Sequence, residues 1–318
     1  MTYSITVIIP TLGELKKIKI LLDSLQNQKV KSDFEVVIID NSCDENKHSQ
    51  LQKLVSGYRL FLRLVKTEKK GVNIARNKGL DLSLSNLCLF IDDDCWLHDS
   101  LLLEKHISWH QQDKAVFGIG GYYALPENAG YFDKSYHTNQ MRWLLRGTYG
   151  LSGNETRYLI GGHFSVKKDL VTTHQLRFDE QIVYGGSELG LFLLAYHLGL
   201  KMRLENLTVI HNTSESLSSL TKKLYKQGRG KAKIRDDIDY GSIGISKEGA
   251  SLDYWYRALD VYLSLVFWFG YHRERKKVKD FFLHVTRITL NTFQYYRHQW
   301  LTKADEILKN KRDRGDRL

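Results

Sequence analysis

The chain has 318 residues, of which 42% are hydrophobic. This composition excludes a disordered chain and is sufficient for one large domain with an appendage or for two small domains. The net charge of +11 is uneven, because residues 216–318 hold 22 Lys and Arg against 12 Asp and Glu. The asymmetry predicts an anionic partner for the last third, such as phospholipid, a phosphorylated carrier or nucleic acid. A basic helical tail without such a partner is the alternative.

Three cysteines, Cys43, Cys88 and Cys95, form an odd set without framework spacing, which is typical of a protein in a reducing compartment. No Cys and His pattern indicates zinc, no basic-then-apolar leader precedes the first strand, and no run of about 18 apolar residues occurs. We therefore expect a cytoplasmic protein, with a peripheral position on the inner face of a membrane as an extension of that prediction.

Strands and helices alternate over the first hundred residues. Short β-branched apolar runs predict strands buried on both faces, and helical spacing or a terminal glycine predicts the helices between them. The predicted strands are 4–10, 34–40, 60–66 and 87–91, and the predicted helices are 15–28, 46–57 and 71–83. Such alternation favours an α/β fold with a mostly parallel sheet, whose ligands bind beyond the carboxyl ends of the strands.

The pattern loosens after residue 100. We predict strands at 115–123, 159–167 and 201–210, a helix at 187–198, and helices throughout 216–318. The chain would then divide into a first domain, residues 1–215, and a basic, aromatic-rich helical region, residues 216–318.

Two apolar helices are expected within the C-terminal region. One covers residues 253–271 and precedes a basic cluster at 273–277, and a second carries Phe281, Val285, Ile288 and Tyr295 on one face. Aromatic helices beside basic residues can lie in a bilayer interface. Packing as a bundle on the first domain or on a partner subunit is the favoured alternative.

Three consecutive carboxylates, Asp92, Asp93 and Asp94, follow the apolar strand that ends at Ile91. Their mutual repulsion is costly unless a cation lies among them, and Mg²⁺ and similar hard cations prefer carboxylate oxygens. An acidic turn or helix cap is the alternative, although a single Asp would suffice for it. The triplet therefore predicts a divalent metal site.

Two further residues stand close to this edge of the predicted sheet. Asp40 ends the second strand and is suited to accept hydrogen bonds from a nucleoside, or simply to form a turn with Asn41 and Ser42. Arg76 lies on the predicted helix 71–83, where it would orient a carboxylate or bind a phosphate, or form an ordinary surface ion pair.

The ordered set Pro10-Thr11, Asp40, Gly71 with Ala75-Arg76-Asn77, and Asp92-Asp93-Asp94 resembles the family 2 glycosyltransferases of the GT-A fold. The resemblance is clear over residues 4–100 and looser to about residue 230. It implies a Rossmann-like nucleotide-diphospho-sugar transferase fold and a nucleotide-sugar donor, UDP-sugar being favoured. It also implies Mn²⁺ or Mg²⁺ as the cofactor.

The resemblance implies a role for each matching residue. Thr11 and Asp40 would hold the nucleoside, Asp92 would lie near the ribose and the metal, and Asp94 would bind the metal. Pro10, Arg76 and Asp93 are expected on the donor side with them.

Phe178-Asp179-Glu180, followed by Tyr184-Gly185-Gly186-Ser187-Glu188, looks like the segment in which the same family carries its catalytic base. Ser187 stands where an acid is frequent, so Glu188 is the expected base, with Asp179 and Glu180 in reserve. A favourable charge in a first helical turn is the alternative role for Glu188.

Three weaker candidates complete the predicted site. His211 resembles the family's additional metal or diphosphate ligand, although a lone histidine is as often structural. Residues 222–233 would form a mobile basic segment that closes over the diphosphate, or a solvated charged helix. Gly161, Gly162 and His163 would line the acceptor side, or form a tight bend in a strand.

We therefore expect an inverting, metal-assisted glycosyltransferase that acts on a hydroxyl of a glycan, lipid-linked or protein acceptor. A nucleotidyltransferase and a non-catalytic nucleotide-sugar-binding scaffold are the alternatives. Nucleic-acid binding is not expected, since only the tail charge favours it. The sequence leaves a homo-oligomer open.

Overall fold

A computed structural model describes residues 3–182, 188–213, 215–234, 254–283, 285–286 and 290. Strands and helices alternate from the N-terminus, and helices follow the last strand. The strands are β1 (Ile5–Thr11), β2 (Phe34–Asp40), β3 (Leu62–Lys66), β4 (Leu87–Ile91), β5 (Cys95–Trp96), β6 (Val116–Ala124), β7 (His163–Lys167) and β8 (Lys201–His211). The helices are α1 (Leu15–Gln26), α2 (Glu45–Val55), α3 (Val72–Leu82), α4 (Leu102–Gln112), α5 (Tyr131–Arg146), α6 (Lys168–Thr173), α7 (Leu189–His197), α8 (Leu217–Lys233) and α9 (Tyr254–Glu274).

The described strands form one eight-stranded sheet in the order β3-β2-β1-β4-β7-β6-β8-β5. The first four neighbours are parallel, as the alternation predicts. β7 then pairs antiparallel with β4 and β6, while β6 and β8 are parallel. The sheet therefore changes direction beside β4, the strand that precedes the acidic triplet.

The central strands bury both faces, which explains why they read as continuous apolar runs. Side chains of alternate residues point to opposite faces of a strand. Ile9 and Ile91 accordingly pack with α1 and α4 on one face of the sheet. Ile8 and Phe90 pack with Phe164 on the other face.

Several parts of the chain differ from the sequence-based expectation. Helices α4 and α5 were not predicted, and β7 begins at His163 rather than at residue 159. Gly161 and Gly162 form a turn ahead of β7, in which the His163 N–H donates to Ile160 O at 3.2 Å. Residues 222–233 belong to helix α8, in which Leu224 and Lys231 are buried, and their expected mobility stays a prediction.

The predicted helix at 253–271 is α9, although Asp253 itself is not described. α9 packs on α8 through two close backbone contacts. A Cβ at Gly228 of α8 would overlap the Phe267 carbonyl oxygen, and a Cβ at Gly270 of α9 would overlap that of Tyr225. A bidentate ion pair between Arg142 of α5 and Asp260 joins α9 to the sheet domain.

Within the described part of the chain, no helix combines the length and the apolar character needed to cross a membrane. The second predicted apolar helix falls largely outside the described residues, since Ile288 and Tyr295 are not described. The division at residue 215 stays a prediction.

Three histidines are buried together between α4 and the sheet. His106 Nε2 lies 3.0 Å from His163 Nε2, and His106 Nδ1 and His110 Nε2 each lie 2.9 Å from Ser165 Oγ. Burial lowers the pKa of His110 to about 3 and that of His163 to about 4, and it holds the pKa of His106 well below its ordinary value. All three side chains are therefore neutral in the folded protein near pH 7.

These histidines make the free energy of unfolding pH-dependent. In the unfolded chain they take up protons below about pH 6.5, whereas the folded chain resists protonation until its lowered pKa values are reached. Their contribution to the free energy of unfolding is fully present above about pH 6.5 and is lost as the pH falls toward the lowered pKa values of the folded chain. We expect His110→Gln to reduce the slope of the free energy of unfolding against pH, between pH 4.5 and 6, by up to about 1.4 kcal/mol per pH unit. Urea unfolding at several pH values measures this slope. The exposed His98→Gln is the matched control, and an equal slope in both variants would contradict the assignment.

Candidate functional site

Polar side chains from several strands meet at the carboxyl edge of the parallel half of the sheet. Thr11 and Asp40 are the last residues of β1 and β2 and are paired in register, and Asp92 directly follows β4. Adjacent parallel strands bring their carboxyl ends to one edge, so these residues gather although the chain separates them.

Asp93 is held from β1, because the Thr11 hydroxyl donates to Asp93 Oδ2 at 2.6 Å. Asp94 is held from β8. The short strand β5 pairs antiparallel with the end of β8, and this places His211 Nε2 3.4 Å from Asp94 Oδ1. Lys17 Nζ lies 3.8 Å from the other oxygen of Asp94.

The three carboxylates differ electrostatically. Desolvation raises the pKa of Asp92, and the nearby Arg76 only partly offsets it. Desolvation and the charge of Asp94 raise the pKa of Asp93 to about 7. The pKa of Asp94 is instead lowered, since its contacts with His211 and Lys17 outweigh desolvation. Additional positive charge beside Asp92 and Asp93 would therefore favour their ionised forms.

Ligand atoms of Asp94, Cys95 and His211 lie within 4.8 Å of one another, a spacing that can hold a metal ion. Desolvation and the neighbouring carboxylates raise the pKa of the Cys95 thiol well above its ordinary range. A neutral thiol is a poor ligand for a hard cation, whereas carboxylate and imidazole are suitable for Mn²⁺. The carboxylate of Asp94 and the imidazole of His211 are thus the better donors of this group.

Arg76 connects the acidic triplet with Glu188. Its guanidinium is almost fully buried and donates to Asp92 Oδ1 at 3.2 Å, to Glu188 Oε2 at 3.4 Å and to the Gly161 carbonyl at 2.8 Å. The ring of Phe178 lies 5.7 Å from the guanidinium carbon. One cation thereby holds two carboxylates that are 96 residues apart in the sequence, from 92 to 188.

The adjacent glycines Gly161 and Gly162 make room for both carboxylates. A Cβ at Gly161 would lie 2.8 Å from Glu188 Cδ, and a Cβ at Gly162 would lie 2.7 Å from Asp92 Oδ2 and 2.6 Å from Tyr123 Oη. Only glycine permits this approach without displacing the acids.

The glycosyl transferase family 2 model matches residues 6–173. The chain belongs to this family of glycosyltransferases. The matched part contains Thr11, Asp40, Arg76 and the acidic triplet, whereas Glu188, His211 and the C-terminal helices follow it.

Curated relatives match only over part of their length. Glycosyltransferase GlyA of Streptococcus pneumoniae is 32% identical over 130 residues, which cover 40% of this chain and 18% of that protein. The poly(ribitol-phosphate) β-N-acetylglucosaminyltransferase TarP of Staphylococcus aureus is 29% identical over 121 residues, covering 37% of this chain and 36% of TarP. The match thus spans about a third or less of these relatives.

Solved structures share the fold over most of the chain. The mannosyltransferase PcManGT of Pyrobaculum calidifontis, in complex with GDP-Man and Mn²⁺, has a TM-score of 0.57 at 15% identity and covers 95% of this chain and 84% of its own. S. aureus TarS 1–349 in complex with UDP has a TM-score of 0.52 at 15% identity and covers 91% of each chain. The expected GT-A fold is confirmed, since the chain has a mixed α/β architecture with one open sheet, followed by a helical C-terminal region.

The structure brings most of the predicted site residues of this glycosyltransferase together. They form one cluster comprising Thr11, Arg76, Asp92, Asp93, Asp94, Gly161, Gly162, Glu188 and His211. Pro10 precedes Thr11 and lies beyond Ile8, the last β1 residue paired with β4, so its missing N–H leaves that ladder intact. The segment 183–187, which contains the predicted Gly-Gly-Ser motif, lies outside the described residues.

Other predicted residues lie in different surroundings. Asp40 is fully buried. Its Oδ2 lies 2.8 Å from His48 Nδ1, and its Oδ1 accepts from the Ser42 N–H at 2.9 Å. Its role toward a nucleoside stays a prediction. His163 does not lie on an acceptor surface, because it is fully buried beside His106. The reserve bases Asp179 and Glu180 are exposed, and Glu180 accepts from Asn77 at 2.9 Å.

Sequence analysis missed His48, Lys17 and Tyr123. The Tyr123 hydroxyl accepts from the Gly162 N–H at 2.8 Å, and its ring lies 4.3 Å from that of His211. None of the three stands in a recognisable motif. Only the sheet order, which brings β6 between β7 and β8, reveals the place of Tyr123.

We expect Gly162→Ala to disrupt the site without unfolding the protein, since the new methyl group must push Asp92 or Tyr123 aside. A misplacement of about 1 Å should lower nucleotide-sugar turnover about 100-fold. Release of nucleoside diphosphate measures this turnover. Gly190→Ala in α7 is the control, because its methyl group would meet only Ile234 Cγ2, at 3.8 Å. Equal activity of the two variants would show that the position of Asp92 is unimportant.

Proposed function

We propose that this chain is an inverting glycosyltransferase that moves a sugar from a nucleotide-sugar donor, UDP-sugar being favoured, to a hydroxyl of a glycan, lipid-linked or protein acceptor. The observation that carries the proposal is the contact of one buried guanidinium, Arg76, with both Asp92 and Glu188. It puts an acidic, cation-attracting cluster and a separate carboxylate base within one site, as a displacement on an activated sugar requires.

The donor lies at the carboxyl edge of the sheet in this proposal. Pro10 and Thr11 border the nucleoside, together with the Asp40 and His48 pair, while Asp93 is fixed by Thr11. Asp92, Asp94 and His211 would hold a divalent cation, Mn²⁺ or Mg²⁺. The donor atoms of Asp94 and His211 lie close enough to share one ion, and Asp92 is the further ligand that the family resemblance implies. Such a cation supplies positive charge to the departing nucleoside diphosphate.

Glu188 is the general base of the proposed reaction. Its carboxylate takes the proton of an acceptor hydroxyl while that oxygen forms a bond to the anomeric carbon and the bond to the diphosphate breaks. Arg76 contributes by orienting this carboxylate, and Gly161 leaves room for it. A single displacement inverts the anomeric configuration, so NMR of the product must show inversion; retention would rule out this route.

Similarity to known proteins supports the substrate class. TarP and TarS are poly(ribitol-phosphate) β-N-acetylglucosaminyltransferases, and TarS structures contain UDP or UDP-GlcNAc. The basic residues 216–318 suit an acceptor that carries phosphate or lies at an anionic membrane surface. UDP-GlcNAc and a phosphate-bearing glycan are therefore the first donor and acceptor to test.

Replacing the base should separate chemistry from binding. We expect Glu188→Gln to lower transfer by about 10²- to 10⁴-fold, the usual contribution of a general base, while UDP affinity is retained. Initial rates and calorimetric titration with UDP measure the two quantities. Asp179→Asn and Glu180→Gln are controls that should keep transfer near wild type. Loss in Glu180→Gln with normal transfer in Glu188→Gln would reassign the base. UDP binding without turnover in the wild type would indicate a scaffold.

Replacing a proposed metal ligand should weaken cation binding. We expect Asp94→Asn to raise the Kd for Mn²⁺, titrated in the presence of UDP, by more than about tenfold, since even outer-shell partners of metal sites are worth 10- to 100-fold. Asp99→Asn is the matched control, because Asp99 pairs with Lys105 at the surface. Equal Mn²⁺ affinity in both variants would contradict the proposed ligand set.

A further inference from the structure

A partly open cavity of about 140 Å³ borders Glu188 and lies between α5 and the C-terminal helices. Its walls come from α5, the segment before β7, the start of α7, α8 and α9. They include Gln140, Trp143, Gln227, Lys231 and Phe267. The cavity lining contains Glu188 but none of Thr11, Asp40 or the acidic triplet, so among the described residues the cavity and the proposed donor site meet at Glu188.

We propose that this cavity is the acceptor pocket and that it takes a single sugar or polyol unit of a glycan. The proposal rests on the function proposed above, because an acceptor hydroxyl must reach Glu188 without occupying the place of the donor. A cavity that shares only the base with the acidic cluster satisfies both conditions.

The size of the cavity suits one such unit. At roughly 10–15 Å³ of accessible space per water, it has room for roughly ten waters, comparable to the heavy atoms of one sugar ring with its hydroxyls. A longer stretch of glycan would have to extend outside it.

The lining is suited to a hydroxylated ring. Pockets for small molecules combine apolar and aromatic walls with a few placed polar groups. Trp143 and Phe267 supply the aromatic surface, and Gln227, whose Nε2 donates to Tyr136 Oη at 3.0 Å, supplies an oriented amide. Gln140 Oε1 is buried without a hydrogen-bond partner in the described residues. Buried polar atoms rarely stay unpaired, and an acceptor hydroxyl would donate the missing hydrogen bond.

The walls are fixed rather than adaptable. The close backbone contacts at Gly228 and Gly270 lock α9 on α8, and the Arg142–Asp260 pair locks it on α5. Such walls are preorganised, which favours selection among acceptors by shape. The α5 wall with Gln140 and Trp143 lies within the part that matches the family model, whereas the α8 and α9 walls follow it.

Gln140→Leu tests the pocket with little change in side-chain volume. We expect the KM for the acceptor to rise about tenfold, the value of one buried hydrogen bond, and the KM for the donor to stay unchanged. The melting temperature should not fall, since the variant removes an unpaired polar atom instead of a contact. A purely structural role of Gln140 would give the opposite pattern, a lower melting temperature with an unchanged acceptor KM.

The assay uses the full chain with UDP-GlcNAc, UDP-Glc or GDP-Man as donor. The acceptor probes are p-nitrophenyl monosaccharides and ribitol 5-phosphate. Trp143→Leu is the second variant, expected to raise the acceptor KM as well. The exposed Gln112→Leu on α4 is the matched control for Gln140→Leu.

The outcomes separate the two proposals. If the wild type neither hydrolyses nor transfers any donor, the proposed function fails and the acceptor pocket fails with it. If the wild type transfers sugar and both Gln140→Leu and Trp143→Leu keep the wild-type acceptor KM, the pocket is wrong while the proposed function stands. A raised acceptor KM in both variants, with Gln112→Leu unchanged, supports the pocket.

Discussion

The arrangement of the site depends on the burial of one guanidinium among opposite charges. Arg76 has almost no exposed surface, and its buried charge is stabilised by Asp92, Glu188 and the Gly161 carbonyl, among other contacts. The same contact keeps two carboxylates close that would otherwise repel each other. A lysine would offer a compact ammonium in place of the forked N–H donors of the guanidinium, so it is not an equivalent replacement for Arg76.

The sheet supplies the positions that Arg76 connects. β7 pairs antiparallel with β4, with His163 opposite Ile91, and the glycine turn that begins β7 therefore meets the acidic triplet that follows β4. Because Gly161 and Gly162 have no side chains, Glu188 and Asp92 can approach the same turn from different elements. The change from parallel to antiparallel pairing thus brings the glycine turn ahead of β7 beside the carboxyl ends of the parallel strands.

The sequence predicts the structure of the first hundred residues better than that of the rest. The apolar runs predicted the bounds of β1, β2 and β4 closely, because a strand that is buried on both faces consists mostly of apolar residues. Helix α5 escaped prediction, since its buried face carries Ser135 and Tyr136 instead of a regular apolar stripe. The environment of Asp40 was also not foreseeable, because the contact with His48 depends on how α2 packs, and local propensity does not encode packing.

The division between these parts of the chain has a functional consequence under the proposed mechanism. Residues that hold a nucleotide sugar follow strands whose positions the sheet determines, and they fall within the segment common to the family. Glu188, α8 and α9 come later, whereas α5, against which α8 and α9 pack, lies within that segment. Under this mechanism, changes in α8 and α9 would alter the acceptor pocket. The acidic triplet would stay in place, because its contact with that region passes through Glu188 and Arg76. A family can then keep one donor chemistry while its members differ in acceptor, and the rigid crossing of α8 and α9 is where this chain would set its own choice.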